Sequence, residues 1–127
     1  MLNHIVLMGR LTSAPELRRT QQGTAVASFT LAVERDVISK ESGKREADFI
    51  NCVAWNGTAE FVDKYFAKGQ LAAVSGRLQI REWTDKENKK HWNAEVVANN
   101  VYFAEGKKQT EPEPSMIPVD DDGELPF

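Results

Sequence analysis

From Ala25 to Val33 every second residue is small or apolar: Ala25, Ala27, Phe29, Leu31 and Val33. A period of two is the signature of a strand with one face buried, because successive side chains of extended chain point to opposite sides. Four more segments read as strands. "NHIVLMGRL" sets Ile5, Leu7, Gly9 and Leu11 against Val6, Met8 and Arg10. "ADFINCVAW" puts Phe49, Asn51, Val53 and Trp55 on one side. "QLAAVSGRLQIREW" and "HWNAEVVANNVYF" supply the last two, separated by the charged loop "TDKENKK". Only "NGTAEFVDKYFAKG" breaks the alternation. Its Phe61, Val62, Tyr65 and Phe66 share one helical face, and Gly69 is placed to cap the helix.

Three strands, one short helix and two strands is the order of the OB-fold, a five-stranded Greek-key barrel. An SH3-like barrel and an open α+β sheet have compatible orders. "TSAPELRRTQQG", bracketed by Pro15 and Gly23, reads as a long loop or an irregular edge. The polar stretch from Asp36 to Glu46 reads as a flexible hairpin loop. Phe29, Phe61, Tyr65 and Phe66 are assigned to packing. The body exposes Val6, Met8 and the Ile50, Cys52 and Ala54 face on this reading. Such apolar area is expected to be covered by assembly into an oligomer.

Beyond Phe103 both periods vanish. Four of the five prolines lie between Pro112 and Pro126, and acids accumulate. Residues 1–103 carry 14 Lys and Arg against 12 Asp and Glu, a balance of +2, while residues 104–127 carry 2 against 7, a balance of −5. An overall charge of −3 therefore does not exclude a polyanionic partner for the body. The expected organisation is a barrel domain over 1–104, a disordered linker over 105–119 and an acidic tip over 120–127. In that tip Asp120, Asp121 and Asp122 precede a terminal Leu125, Pro126 and Phe127. Acids explain a solubilising tail, whereas an apolar end is suited to burial in another protein's pocket.

Several function classes are disfavoured. The two histidines, His4 and His91, and the isolated Asp48 and Glu95 make no catalytic spacing, and there is no phosphate-cradling glycine loop. No enzyme activity, metal or cofactor is expected. A single cysteine, Cys52, allows no intrachain disulfide, which fits a reducing cytoplasm. Met1 to His4 show no basic n-region and no small-residue cleavage site, so secretion is not expected, and no apolar run approaches the roughly 20 residues that span a bilayer.

Aromatic and cationic residues are interleaved instead. Phe49 and Trp55 share a strand face, as do Arg77, Arg81 and Trp83, opposite Ala72, Val74, Gly76, Leu78 and Ile80. Trp92 follows Lys89, Lys90 and His91 directly. Every base has a π-face, so such platforms hold single strands without reading sequence, and arginine adds phosphate contact and cation–π stacking. No helix carries base-reading side chains for a duplex. A protein-docking adaptor and a carbohydrate-binding OB domain are the competing readings.

The segments "NHIVLMGRLTSAPELRRT", "GTAVASFTLAVER", "EADFINCVAW" and "KGQLAAVSGRLQIREWTD" closely resemble the single-stranded DNA-binding proteins of bacteria and bacteriophages, nearest to those of Gram-positive hosts. The resemblance covers about residues 1–103 and reappears at the acidic tip. It implies an OB-fold homotetramer that coats single-stranded DNA in replication, recombination and repair. It also implies a cytoplasmic setting, in a bacterium or for a phage-encoded protein acting in one. Base stacking is implied for Phe49, Trp55 and Trp83. Backbone contact is implied for Arg18, Lys68 and Arg81, with Arg10 and Arg77 as further candidates. The tip would dock partner proteins. Val37 stands where many relatives carry a stacking tryptophan, and Gly57 and Gln79 replace basic residues of some relatives.

Overall fold

The computed structural model describes residues 1–105. Its elements are β1 (Ile5–Leu11), β2 (Glu16–Arg19), β3 (Ala25–Ile38), β4 (Arg45–Trp55), α1 (Asn56–Tyr65), β5 (Leu71–Thr84) and β6 (Lys90–Phe103). The sheet runs β1-β5-β6-β4-β3-β2, and a further pairing of β1 with β3 closes it. Five strands thus form the barrel, with α1 between the third and fourth of them, and the OB-fold expectation holds. The sixth strand, β2, lies at the sheet edge within the stretch read as a long loop or an irregular edge. It pairs antiparallel with β3 from Glu16↔Ser28 to Arg19↔Ala25. With only Leu17 directed at the core, it was too short for periodicity to reveal.

The core face is the one the alternation marks. Ala25, Ala27, Phe29 and Leu31 are buried, and they meet Leu11, Ala72, Val74, Val96, Ala98 and Val101. Ile50, Cys52 and Ala54 do not form an exposed face. Cys52 and Ala54 are buried and Ile50 is half-buried against the same core. Alternation states that two faces differ but not which one turns inward. Here Cys52 and Ala54 lie across from Phe29 and Ala27, already committed to the core. Burial pushes the Cys52 thiol up to about 12, so it remains a neutral thiol at ordinary pH.

The helix lies against β3, β4 and β6. Ala59, Val62 and Phe66 bury one stripe, and the Phe66 ring stacks on Phe103 at 4.5 Å. Tyr65, expected in the core, is 46% exposed, because it sits one position off that stripe. Gly69 is not the helix cap. The helix ends at Phe66, whose N–H donates to the Val62 carbonyl, and Gly69 (φ 89°) lies in the next turn, donating to the Leu11 carbonyl.

Two ribbons leave the barrel. β3 and β4 run on to Ile38↔Arg45, into the stretch expected to be loop. Cross-strand charge replaces apolar packing there. Arg35 donates to both Asp48 oxygens (2.8 and 3.2 Å) and to Glu46 at 3.4 Å, which holds the Asp48 carboxyl below the usual carboxylate range. The second ribbon starts after a register shift in the β5–β6 pairing, where Ser75 faces Asn100 and Gly76 faces Ala98. Past that point Leu78 and Ile80 keep core parity but are 41% and 56% exposed, since no barrel lies beneath them. The ribbon ends in a turn built on Asp85, whose Oδ1 accepts the N–H groups of Glu87 (2.8 Å) and Lys89 (2.9 Å).

Candidate nucleic-acid interface

Strand register decides which side chains share the outer face. On β3 and β4 the cross-strand pairs Val26↔Trp55, Ser28↔Val53, Thr30↔Asn51 and Ala32↔Phe49 carry it. It continues through Asn51↔Glu95 and Val53↔Val97 onto β6. From there Arg77↔Val97, Gln79↔Glu95, Arg81↔Asn93 and Trp83↔His91 take it onto β5. At the other side Arg18↔Val26 joins β2. One continuous surface therefore holds Phe49, Trp55 and Trp83 together with Arg18, Arg77 and Arg81.

A groove of about 690 Å³ crosses this surface between the Ser13–Glu16 segment and the sheet. Arg18, Asn51, Trp55, Arg81 and Glu95 line it. Val26 and Val53 also line it and, with Val97, form a second small apolar cluster, each 6–8% exposed, among the polar side chains of Ser28, Thr30 and Asn51. Phe49 and Trp83 lie beyond the groove lining on the same surface, 69% and 44% exposed. Exposed aromatic faces with guanidinium groups beside them suit flat apolar rings joined by anions.

The two acids that might have suggested catalysis are committed elsewhere. Asp48 belongs to Arg35. Glu95 Oε2 accepts from Gln79 Nε2 at 3.1 Å and from Arg81 Nη2 at 3.3 Å, with the Glu95 side chain 17% exposed. Among the described residues no three His, Cys, Asp or Glu side chains converge as metal ligands would.

The other candidates are not brought to this surface. Trp92 pairs with Glu82 and shares the reverse of the ribbon with Leu78 and Ile80. Lys90 is on that reverse side too, 3.7 Å from Glu82. Lys89 belongs to the Asp85 turn. Lys68 lies in the turn between α1 and β5, outside the groove lining. Arg10 donates to the Gly69 carbonyl (2.9 Å) and to Glu105 (3.0 Å). Asp120, Asp121, Asp122, Leu125, Pro126 and Phe127 lie outside the described residues. Sequence reasoning did not single out the polar lining residues Ser28, Thr30 and Asn51 as part of the site. For Asn51 the available signal was its shared parity with Trp55 on β4, whereas Ser28 and Thr30 reach the face only through the β3–β4 register.

Residues 2–104 match the model of the single-strand binding protein family. The chain is 53% identical over 105 residues to the single-stranded DNA-binding protein of Halalkalibacterium halodurans, covering 83% of this chain and 62% of that one. It is 52% identical over 107 residues to single-stranded DNA-binding protein A of Bacillus subtilis (84% and 62%). With the single-stranded DNA-binding protein of Staphylococcus aureus strain MRSA252 it shares 50% over 111 residues (87% and 70%). The chain thus spans under two thirds of the length of the first two of these relatives.

Proposed function

The chain belongs to the single-strand binding protein family, and from that premise we propose that its grooved face binds single-stranded DNA without reading sequence. The observation that carries this is the gathering of three exposed aromatic rings and three arginines on one sheet surface. Bases stack on Trp55, Phe49 and Trp83, while Arg18, Arg77 and Arg81 meet phosphates. By coating strands in this way the protein acts as a binder, not an enzyme, in DNA replication, recombination and repair in the bacterial cytoplasm. Stoichiometric quenching of tryptophan fluorescence by oligo-dT is the expected result. Trp83→Ala should weaken binding by about 1–3 kcal/mol, the value of one base–aromatic stack. A protein that only docks other proteins would show little quenching, with saturation only at high strand concentration.

Two further features belong to the same proposal. Val6, Met8 and Tyr102 are 64%, 58% and 57% exposed on the barrel exterior formed by β1, β5 and β6, which favours burial against other copies. A homotetramer is the expected assembly. The tip over 120–127 recruits replication and repair proteins, Phe127 filling a pocket and Asp120 to Asp122 meeting a basic rim. Deleting residues 120–127 tests both ideas together. Light scattering should still give a multiple of the protomer mass, and strand affinity should be equal or slightly tighter. Pull-down of partner proteins should be lost. A monomer mass defeats the first idea, and retained partners defeat the second.

A further inference from the structure

We propose that Asp85, His91 and Asn93 are positioning residues that preset Trp83 as a stacking platform with one usable face. The proposal rests on the single-strand reading above and adds residues that act only through Trp83.

The ribbon carrying Trp83 has left the barrel, so no core packing fixes the indole. Two other contacts do. His91 is its cross-strand partner, and the two rings stack with centroids 4.6 Å apart and planes 22° from parallel. One indole face is therefore taken by imidazole and the other is left to a base. With the Asn93 amide oxygen turned toward the indole, it accepts the Trp83 Nε1–H at 3.0 Å, which fixes rotation of the ring in its plane. His91 is held in turn. Its Nε2 lies 2.7 Å from Asp85 Oδ2. An ionised carboxylate can only accept, so Nε2 carries the proton and donates it. The other Asp85 oxygen is occupied by the N–H groups of Glu87 and Lys89. The carboxylate is thereby placed by the turn, the imidazole by the carboxylate, and the indole by the imidazole. Hydrogen bonds from His91 and from the Lys89 backbone keep the Asp85 carboxyl below the usual range, so the link persists at neutral pH.

A side chain immobilised before binding does not lose its rotamer freedom on binding. Removing the support should therefore weaken strand affinity even if His91 and Asp85 never touch DNA. The competing account is that His91 meets a phosphate directly. A double-mutant cycle separates the two, read by fluorescence anisotropy of labelled oligo-dT with the full chain.

His91→Ala should weaken binding roughly threefold to tenfold, with the salt dependence unchanged. His91→Phe, which keeps a ring against the indole, should recover most of that loss. In a Trp83→Ala background, His91→Ala should have no further effect. Equal losses with and without Trp83, or a shallower salt slope in His91→Ala, would establish direct contact and overturn the proposal. So would parent affinity in His91→Ala, or a Trp83→Ala variant that binds as tightly as the parent. A variant that melts at the parent temperature but binds weakly excludes unfolding as the cause. If the parent chain itself fails to bind oligo-dT, the single-strand reading falls, which is a different result from any of these.

Discussion

Gly76→Ala is expected to melt more than about 12 °C below the parent, a loss above roughly 3 kcal/mol at the 4–8 °C per kcal/mol typical of a domain this size. The cause is local. At the register shift between Ser75 and Gly76, β6 presses its backbone onto β5. A methyl group at Gly76 would overlap the Val97 carbonyl oxygen and come within 3.1 Å of the Ala98 Cα. Neither obstacle is the end of a flexible side chain. Relief requires the β5–β6 ladder to open where Val74, Val96, Ala98 and Val101 are buried. Overpacking usually costs about 1–3 kcal/mol when side chains can shift, and here the obstacle is the ladder itself. Total stability of a domain is only about 5–15 kcal/mol. Gly57→Ala is the matched control. Nothing lies within 4 Å of its added carbon and it sits in α1, so it should raise stability by about 0.5–1 kcal/mol. Thermal melts followed by circular dichroism check both. A Gly76→Ala melt within a couple of degrees of the parent would show that the close approach does not constrain the barrel.

The same register shift marks the limit of what the sequence could say. Up to Gly76, alternation on β5 reports burial faithfully, because each inward residue meets the barrel. On β6 the parity of buried residues changes across the shift, from Val96 and Ala98 to Val101. A two-residue period cannot be followed through it. Trp92 and Trp83 look interchangeable on paper, and only the pairing Glu82↔Trp92 and Trp83↔His91 puts them on opposite sides. The β3–β4 ribbon reads too short for another reason: the stretch from Asp36 to Glu46 has no apolar alternation, and the charge that ties its base, Arg35 to Asp48 and Glu46, has meaning only once the register is known. By contrast, the shared face of Arg77, Arg81 and Trp83, and that of Phe49 and Trp55, needed parity within a single strand. That was legible. What joins the two into one surface is the parallel pairing of β4 with β6, a contact between segments about 44 residues apart in sequence that no local pattern encodes.

That joined surface sets the second large effect, the response of strand binding to salt. Each phosphate neutralised on a single strand contributes about −0.7 to the slope of log K against log salt, because bound counterions are released. With contacts at Arg18, Arg77 and Arg81, the slope should be about −2 per protomer, so raising salt about tenfold should weaken binding roughly 100-fold. Arg81 starts in an ion pair with Glu95, 3.3 Å away. Its guanidinium is 60% exposed, so such a pair is worth at most about 1 kcal/mol and can share its cation with a phosphate. Glu95 keeps Gln79 as a partner when Arg81 turns away, so the half-buried carboxylate is not stranded. Alanine at Arg18, Arg77 or Arg81 should therefore make the slope shallower by about 0.7 each. Arg10→Ala should leave it unchanged, since that guanidinium is tied to Gly69 and Glu105 away from the groove lining. Titrations from about 0.05 to 0.5 M salt discriminate the outcomes. A slope near zero would remove phosphate contact from the mechanism. A slope that falls with Arg10→Ala but not with Arg81→Ala would move the strand off the grooved face altogether, to the exterior where β1 meets β3.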